Sequence, residues 1–182
     1  MIFNLPNGLT FLRLILTPMI VFLLLRGAFS WALLLFLLAG ITDGLDGFLA
    51  RSLREPTEFG RVLDPVADKL LLGSAFFTLA FLGRLPLWLP VIAVGRDLVQ
   101  MVGSCILYTT IGRLGYPPSF LGKLTTALQI FTVLAAMIMA EGDALLYSLI
   151  WVTAVVTVLS GLDYIYRGVV DLFSRSRNAS PA

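Results

Sequence analysis

Apolar residues run along this chain in six long stretches separated by short polar breaks. The first extends from about Leu9 to Leu25, the second from Trp31 to Leu49 and the third from Val62 to Leu82. The fourth runs from Leu87 to Ile111, the fifth from Phe120 to Ala140 and the sixth from Ala144 to Ile165. Each has roughly the 17–25 residues with which a helix crosses the hydrocarbon core of a bilayer. The breaks fall at Arg26-Gly27, 51–61, Gly83-Arg84, 112–119 and 141–143. The pattern predicts an all-α integral membrane protein, a bundle of six transmembrane helices over residues 1–173. A small, polar, flexible tail is expected over 174–182. The first apolar stretch lacks the charged lead and small-residue cleavage site of a signal peptide, so it is expected to be a retained helix.

Composition supports the membrane reading. The chain is 58% hydrophobic and 13% charged, with a mean hydropathy of +0.94. Soluble domains carry about 45–50% apolar and about 25% charged residues. The absence of histidine excludes imidazole acid–base chemistry and imidazole metal ligands. The single cysteine, Cys105, cannot form an intrachain disulfide. A net charge of +2 suggests no nucleic-acid partner. Basic residues crowd one side of the expected membrane: Arg51, Arg54, Arg61, Arg113, Arg167, Arg175 and Arg177, against Arg26 and Arg84 opposite. The positive-inside rule makes the richer side cytoplasmic, with both termini there, in what is expected to be a bacterial inner membrane.

Four of the eight aspartates lie between positions 43 and 68. Asp43 and Asp46 are three apart, and Asp64 and Asp68 four apart, so each pair shares one helix face. A short loop joins the two helices, which brings both pairs towards one cytoplasmic end and into a polar cavity. Four uncompensated carboxylates would repel one another, and each costs at least about 2.5 kcal/mol inside a membrane. Arg51 and Lys69 supply too little charge to balance them. An oxygen-only donor set selects hard divalent cations. Two such ions suit phosphate chemistry, where they clamp attacking and leaving oxygens. Gly44, Gly47 and Gly60 lie within a turn of these carboxylates and leave bare backbone for a flat ligand.

The segment reads Asp43-x2-Asp46-Gly47-x2-Ala50-Arg51-x8-Gly60-x3-Asp64-x3-Asp68. It resembles the full signature of the CDP-alcohol phosphatidyltransferase family. The opening Leu5-Pro6-Asn7-x-Leu9-Thr10-x2-Arg13 resembles the family's glycerophospholipid branch, so nearly the whole chain is covered. The resemblance implies transfer of a phosphatidyl group from CDP-diacylglycerol to a glycerol-type alcohol, with release of CMP. It implies two Mg²⁺ or Mn²⁺ ions on Asp43, Asp46, Asp64 and Asp68, with Asp68 also the catalytic general base. Thr42, Asp46, Gly47, Ala50, Arg51 and Gly60 would hold the CDP-lipid. A homodimer in contact with membrane lipids is the family expectation.

Arg13, Lys69, Arg96 and Lys123 are the candidates for reading the acceptor. An ion pair between Arg96 and its neighbour Asp97 is not expected, because adjacent helix positions do not face each other. Members of the family that use glycerol 3-phosphate usually carry Arg-Glu in the fourth span and Gly-Lys-x-Lys-Thr in the fifth. This chain has Arg96-Asp97 and Gly122-Lys123-Leu124-Thr125-Thr126, closer to members that use phosphatidylglycerol and form cardiolipin. Length and the opening segment favour glycerol 3-phosphate, which is the expected acceptor. A Mg²⁺ transporter is the remote alternative, but the second half holds no counterpart of the Asp43–Asp68 pattern.

Overall fold

The computed structural model describes the backbone of residues 5–53, 58–111 and 119–178, and the side chains of 11–42, 66–105, 109 and 119–170. Six helices and no strand occur among the described residues: α1 (Leu5–Leu25), α2 (Phe29–Leu53), α3 (Glu58–Phe81), α4 (Trp88–Ile111), α5 (Phe120–Ile138) and α6 (Ala144–Asn178). They follow the apolar stretches closely except at the end. There α6 continues past Ile165 and through Ser174, where the sequence suggested a tail. Between Gly168 and Pro181 no glycine or proline stops it.

The chain divides into two compact units, Met1–Leu87 with Val133–Asp143, and Trp88–Thr132 with Ala144–Ala182. In the first unit α1 packs against both α2 and α3. The α1 stripe is Arg13, Thr17, Ile20 and Leu24, at the spacing of one helix face. Ile20 and Leu24 are buried against a core that includes Ala32, Phe36 and Ala39 of α2 and Ala67, Leu71 and Ala75 of α3. The alanines let helix backbones approach closely, the usual means of packing where lipid removes the hydrophobic drive between helices. Gly27 ends α1 in the left-handed region (φ 73°), with Ala28 N–H donating to Leu23 O at 2.9 Å and Gly27 N–H to Leu24 O at 2.9 Å. Gly83 ends α3 in the same way (φ 79°), with Arg84 N–H donating to Leu79 O at 2.9 Å. Both are Schellman closures, which glycine makes without strain. Arg84 then ties this end together. Its Nη1 donates to Met139 O at 2.8 Å, Nε lies 3.5 Å from Glu141, and the guanidinium stacks 4.4 Å over the Phe29 ring.

In the second unit α4 packs against α6. Leu89, Ala93, Arg96, Gln100 and Gly103 mark the α4 face at helical spacing. Tyr164 of α6 lies on Gly103, its hydroxyl bonded to Ser104 Oγ at 3.0 Å and donating to Gln100 O at 3.2 Å. Threonines join α5 to α6. Thr132 and Thr153 hydroxyls meet at 2.7 Å, and Thr125 Oγ1 donates to Leu121 O at 2.8 Å and to Val156 O at 3.3 Å.

The exposed side chains include Trp151, Val155, Val158, Leu159, Leu162 and Ile165, while Arg13, Arg96, Gln129, Thr132, Thr153 and Ser160 are buried. Polar groups inside and large apolar groups outside are the arrangement a lipid solvent demands. Two helical segments, Phe120–Ile138 and Ala144–Val170, are long and apolar enough to cross a membrane. Phe11–Leu25 and Phe29–Thr42 are apolar but shorter.

The contact at Gly103 gives a direct test of the α4–α6 packing. A Cβ there would stand 2.7 Å from Tyr164 Cε1. Gly103→Ala is expected to destabilise the protein by about 1–3 kcal/mol, the usual cost of overpacking. Thermal unfolding in detergent would read this as a lowered midpoint, and adding Tyr164→Ala should remove the clash. An unchanged midpoint in the single variant would contradict the packing described.

Candidate active site

Both aspartate pairs lie on helical backbone, Asp43 and Asp46 towards the end of α2, Asp64 and Asp68 towards the start of α3. Each pair therefore keeps the three- or four-residue register of a shared face. Residues 54–57, which link the two helices, are outside the described residues, as are the side chains of Asp43, Asp46, Gly47, Ala50, Arg51, Gly60 and Asp64. Thr42 is described. Its hydroxyl donates to Leu38 O at 3.0 Å and Ala39 O at 2.8 Å, back onto its own helix.

Asp68 has a partner that sequence reasoning did not assign to it. Arg13 Nη1 of α1 donates to Asp68 Oδ1 of α3 in a direct ion pair. Arg13 is 2% exposed and the Asp68 side chain 44%. The cation therefore lies inside the helix packing and the carboxylate at its margin. Arg13 was expected among the acceptor contacts. Its α1 stripe carries it to the aspartate expected to be the base. Lys69, one position along α3, is exposed.

Arg96 forms a second polar centre, within the other unit. Nη1 donates to Asp97 Oδ1 at 2.8 Å and Nη2 to Ser160 Oγ of α6 at 2.8 Å. The expectation that Arg96 and Asp97 would not pair is corrected. Adjacent positions diverge at Cβ, but the long arginine side chain curls back far enough to reach its neighbour. The Arg96 Nε–H is buried with no hydrogen-bond partner among the described residues. Two glycines shape the space around the guanidinium. A Cβ on Gly161 would lie 3.6 Å from Arg96 Cγ, and one on Gly122 only 3.1 Å from Nη2. Gly122 opens α5 under a cap, its N–H donating to Ser119 Oγ at 3.0 Å. Lys123 follows in the same first turn and is exposed. Thr125 is fully buried, its hydroxyl bonded to backbone.

Ser160 and Ser119 were not singled out from sequence as parts of a site. The visible signal was the adjacent small pair Ser160-Gly161, and Ser119 three residues before the Gly122 of the fifth-span motif.

The donor chemistry fits a hard divalent ion. The chain has no histidine, and its one cysteine lies exposed on α4 rather than on α2 or α3. No group of three or more His, Cys, Asp or Glu occurs among the described residues, where Asp68 alone represents the two pairs. Four carboxylates at these helical spacings offer oxygen ligands only, the preference of Mg²⁺ and Mn²⁺.

Comparison with known proteins agrees with the motif. Residues 3–159 match the family model described as CDP-alcohol phosphatidyltransferase. The chain is 36% identical over 188 residues to the "Probable phosphatidylglycerophosphate synthase" of Mycobacterium tuberculosis, covering 97% of this chain and 87% of that protein. It is 35% identical over 157 residues to the cardiolipin synthase (CMP-forming) of Streptomyces coelicolor, covering 81% and 71%. It is 31% identical over 170 residues to the CDP-diacylglycerol–glycerol-3-phosphate 3-phosphatidyltransferase of Rickettsia typhi, covering 88% and 94%. Members of this family are membrane enzymes that generally depend on divalent metal. With a family match over most of its length and the Asp43–Asp68 signature on consecutive helices, the chain belongs to the CDP-alcohol phosphatidyltransferase family.

Proposed function

We propose that this enzyme transfers the phosphatidyl group of CDP-diacylglycerol to glycerol 3-phosphate, forming phosphatidylglycerophosphate and releasing CMP. The observation that carries the reading is the set of two aspartate pairs in helical register on α2 and α3, within a chain that matches the family over residues 3–159. The similarity to the Mycobacterium tuberculosis and Rickettsia typhi proteins supports the acceptor. Asp43, Asp46, Asp64 and Asp68 hold Mg²⁺ or Mn²⁺, which when bound neutralises the diphosphate as CMP leaves. Asp68 takes the proton of the acceptor hydroxyl. The hydroxyl oxygen then bonds to the phosphorus next to diacylglycerol, and the bond from that phosphorus to the CMP oxygen breaks. Thr42, Asp46, Gly47, Ala50, Arg51 and Gly60 contact the CDP-lipid. Arg96 and Lys123 meet the acceptor's phosphate, with Arg13 and Lys69 contributing positive charge near Asp68. The same reading takes residues 1–173 as one six-span domain working as a homodimer in a bacterial inner membrane, with the cavity and both termini on the cytoplasmic side.

One observation favours a second acceptor, phosphatidylglycerol, with cardiolipin as product. Where glycerol 3-phosphate enzymes usually carry a second lysine, Thr125 is fully buried in the helix packing. The similarity to the Streptomyces coelicolor cardiolipin synthase points the same way.

The metal reading predicts that CMP release stops in excess chelator and returns with Mg²⁺ or Mn²⁺. Undiminished release in chelator would overturn it. The division of labour among the aspartates predicts that Asp68→Asn retains CDP-lipid binding but loses turnover by about 10²–10⁴-fold, the usual contribution of general base catalysis. Asp43→Asn should lose binding as well. Near wild-type turnover by Asp68→Asn would remove it from the base role.

Acceptor choice is read by supplying glycerol 3-phosphate and phosphatidylglycerol together and resolving the two products. Phosphatidylglycerophosphate is expected; cardiolipin alone would reverse the assignment. A charge-assisted phosphate contact contributes about 1.5–3 kcal/mol. Arg96→Ala should therefore raise the glycerol 3-phosphate KM about 10- to 100-fold with CDP-lipid affinity little changed. Gly122→Ala, by crowding the Arg96 guanidinium, should shift the same constant in the same direction.

A further inference from the structure

We propose that Arg13 is the resident counter-cation of the aspartate cluster and the positioning residue of Asp68. The argument starts from burial. Arg13 is 2% exposed, and among the α1 side chains described, those of residues 11–25, all others but Thr17 are apolar. A guanidinium in such surroundings needs an anion. Its anion is Asp68, which lies on α3 rather than on Arg13's own helix. α1 is also the helix that packs against both α2 and α3, the two elements that carry the four aspartates. Arg13 therefore supplies fixed positive charge at Asp68, from the helix that packs against both elements bearing the cluster. Lys69, next to Asp68 in sequence, is exposed, whereas Arg13 is buried.

The pair has two consequences of opposite sign. A donor fixed on one carboxylate oxygen restricts the rotation of Asp68, whose side chain remains 44% exposed and within reach of a hydroxyl. Orientation of this kind accelerates proton transfer. The same positive charge repels a divalent cation arriving at the same carboxylates. Removal of Arg13 should therefore tighten metal binding while slowing turnover. A merely structural residue would weaken both.

The turnover arm rests on the phosphatidyltransferase reading; the metal arm does not. The experiment uses the full-length chain purified in detergent, as wild type, Arg13→Met and Arg13→Lys. Mn²⁺ binding is followed by the electron paramagnetic resonance signal of the free ion, and CMP release is measured separately. Arg13→Met is expected to bind Mn²⁺ about tenfold more tightly, as loss of a nearby unit charge should give even at high effective dielectric. It should turn over about 10- to 100-fold more slowly, with the loss in kcat rather than in the CDP-lipid KM. Arg13→Lys retains the charge but not the fork. Its Mn²⁺ affinity should stay within about twofold of wild type, with kcat between those of wild type and Arg13→Met. Equal or weaker Mn²⁺ binding by Arg13→Met overturns the counter-cation role, and a wild-type kcat in that variant overturns the positioning role. Should Arg13→Met fail to fold, Arg13→Lys decides: lowered Mn²⁺ affinity or an unchanged kcat counts against the proposal. A wild-type protein that binds Mn²⁺ yet releases no CMP with any alcohol overturns the reaction reading, and the metal arm still tests Arg13.

Discussion

A buried charge among helices must find its counter-charge within the protein, and the ion pair between Arg13 and Asp68 is where this constraint acts most strongly. Water cannot solvate a guanidinium that is 2% exposed. The packing of α1 on α3 must therefore bring it to a carboxylate. That requirement is consistent with the described α1 core face, which runs from Arg13 through Thr17 and Ile20 to Leu24. The chain keeps the polar end of this face near its proposed chemistry and the apolar end near the Gly27 turn.

The same logic recurs in the second unit with weaker groups. Thr125, Thr132, Thr153 and Thr157 are all buried, and their hydroxyls bond to one another or to helix carbonyls. Thr125 and Thr132 bond both a carbonyl of their own helix and a group of α6, Thr153 bonds across to α5, and Thr157 bonds back to Thr153 O within α6. Arg96 is held by Asp97 and Ser160 between α4 and α6. The outer surface needs no such pairing. Its Leu, Val, Ile and Trp side chains suit lipid, which is why so many large apolar residues are exposed.

The fold was largely legible in the sequence because polar breaks in a very apolar chain are rare and specific. Gly27 and Gly83, read there only as interruptions, are the left-handed closures of α1 and α3. The aspartate signature was legible because its spacing is meaningful only on helices, and both segments are helical. Long-range pairings were not legible. Nothing near Arg13 points to Asp68, 55 positions away, and nothing near Arg96 points to Ser160, 64 positions away. The Arg96–Asp97 pair was misjudged for a different reason. The rule that adjacent helix positions diverge concerns Cβ directions, and a flexible arginine reaches beyond it. α6 runs beyond the apolar stretch that ends at Ile165, because helical backbone needs only the absence of breakers and not continued hydrophobicity.

The Arg96 centre also bears on the choice of acceptor. Asp97 already answers part of its positive charge, and Ser160 takes another donor. An arginine so engaged offers less to a phosphate dianion than a pair of open lysines would. Yet its Nε–H is buried without a partner among the described residues, and a buried donor left unmade costs about 1–3 kcal/mol. An anionic oxygen is the acceptor that would recover this cost most fully. Gly122, which leaves room beside Nη2, keeps space open at the same guanidinium. The buried donor and the glycine beside it suit an anionic oxygen, which both glycerol 3-phosphate and phosphatidylglycerol carry, while the buried Thr125 limits how much charge the site can answer. Under the proposed function Lys123, exposed at the start of α5, adds a second cation.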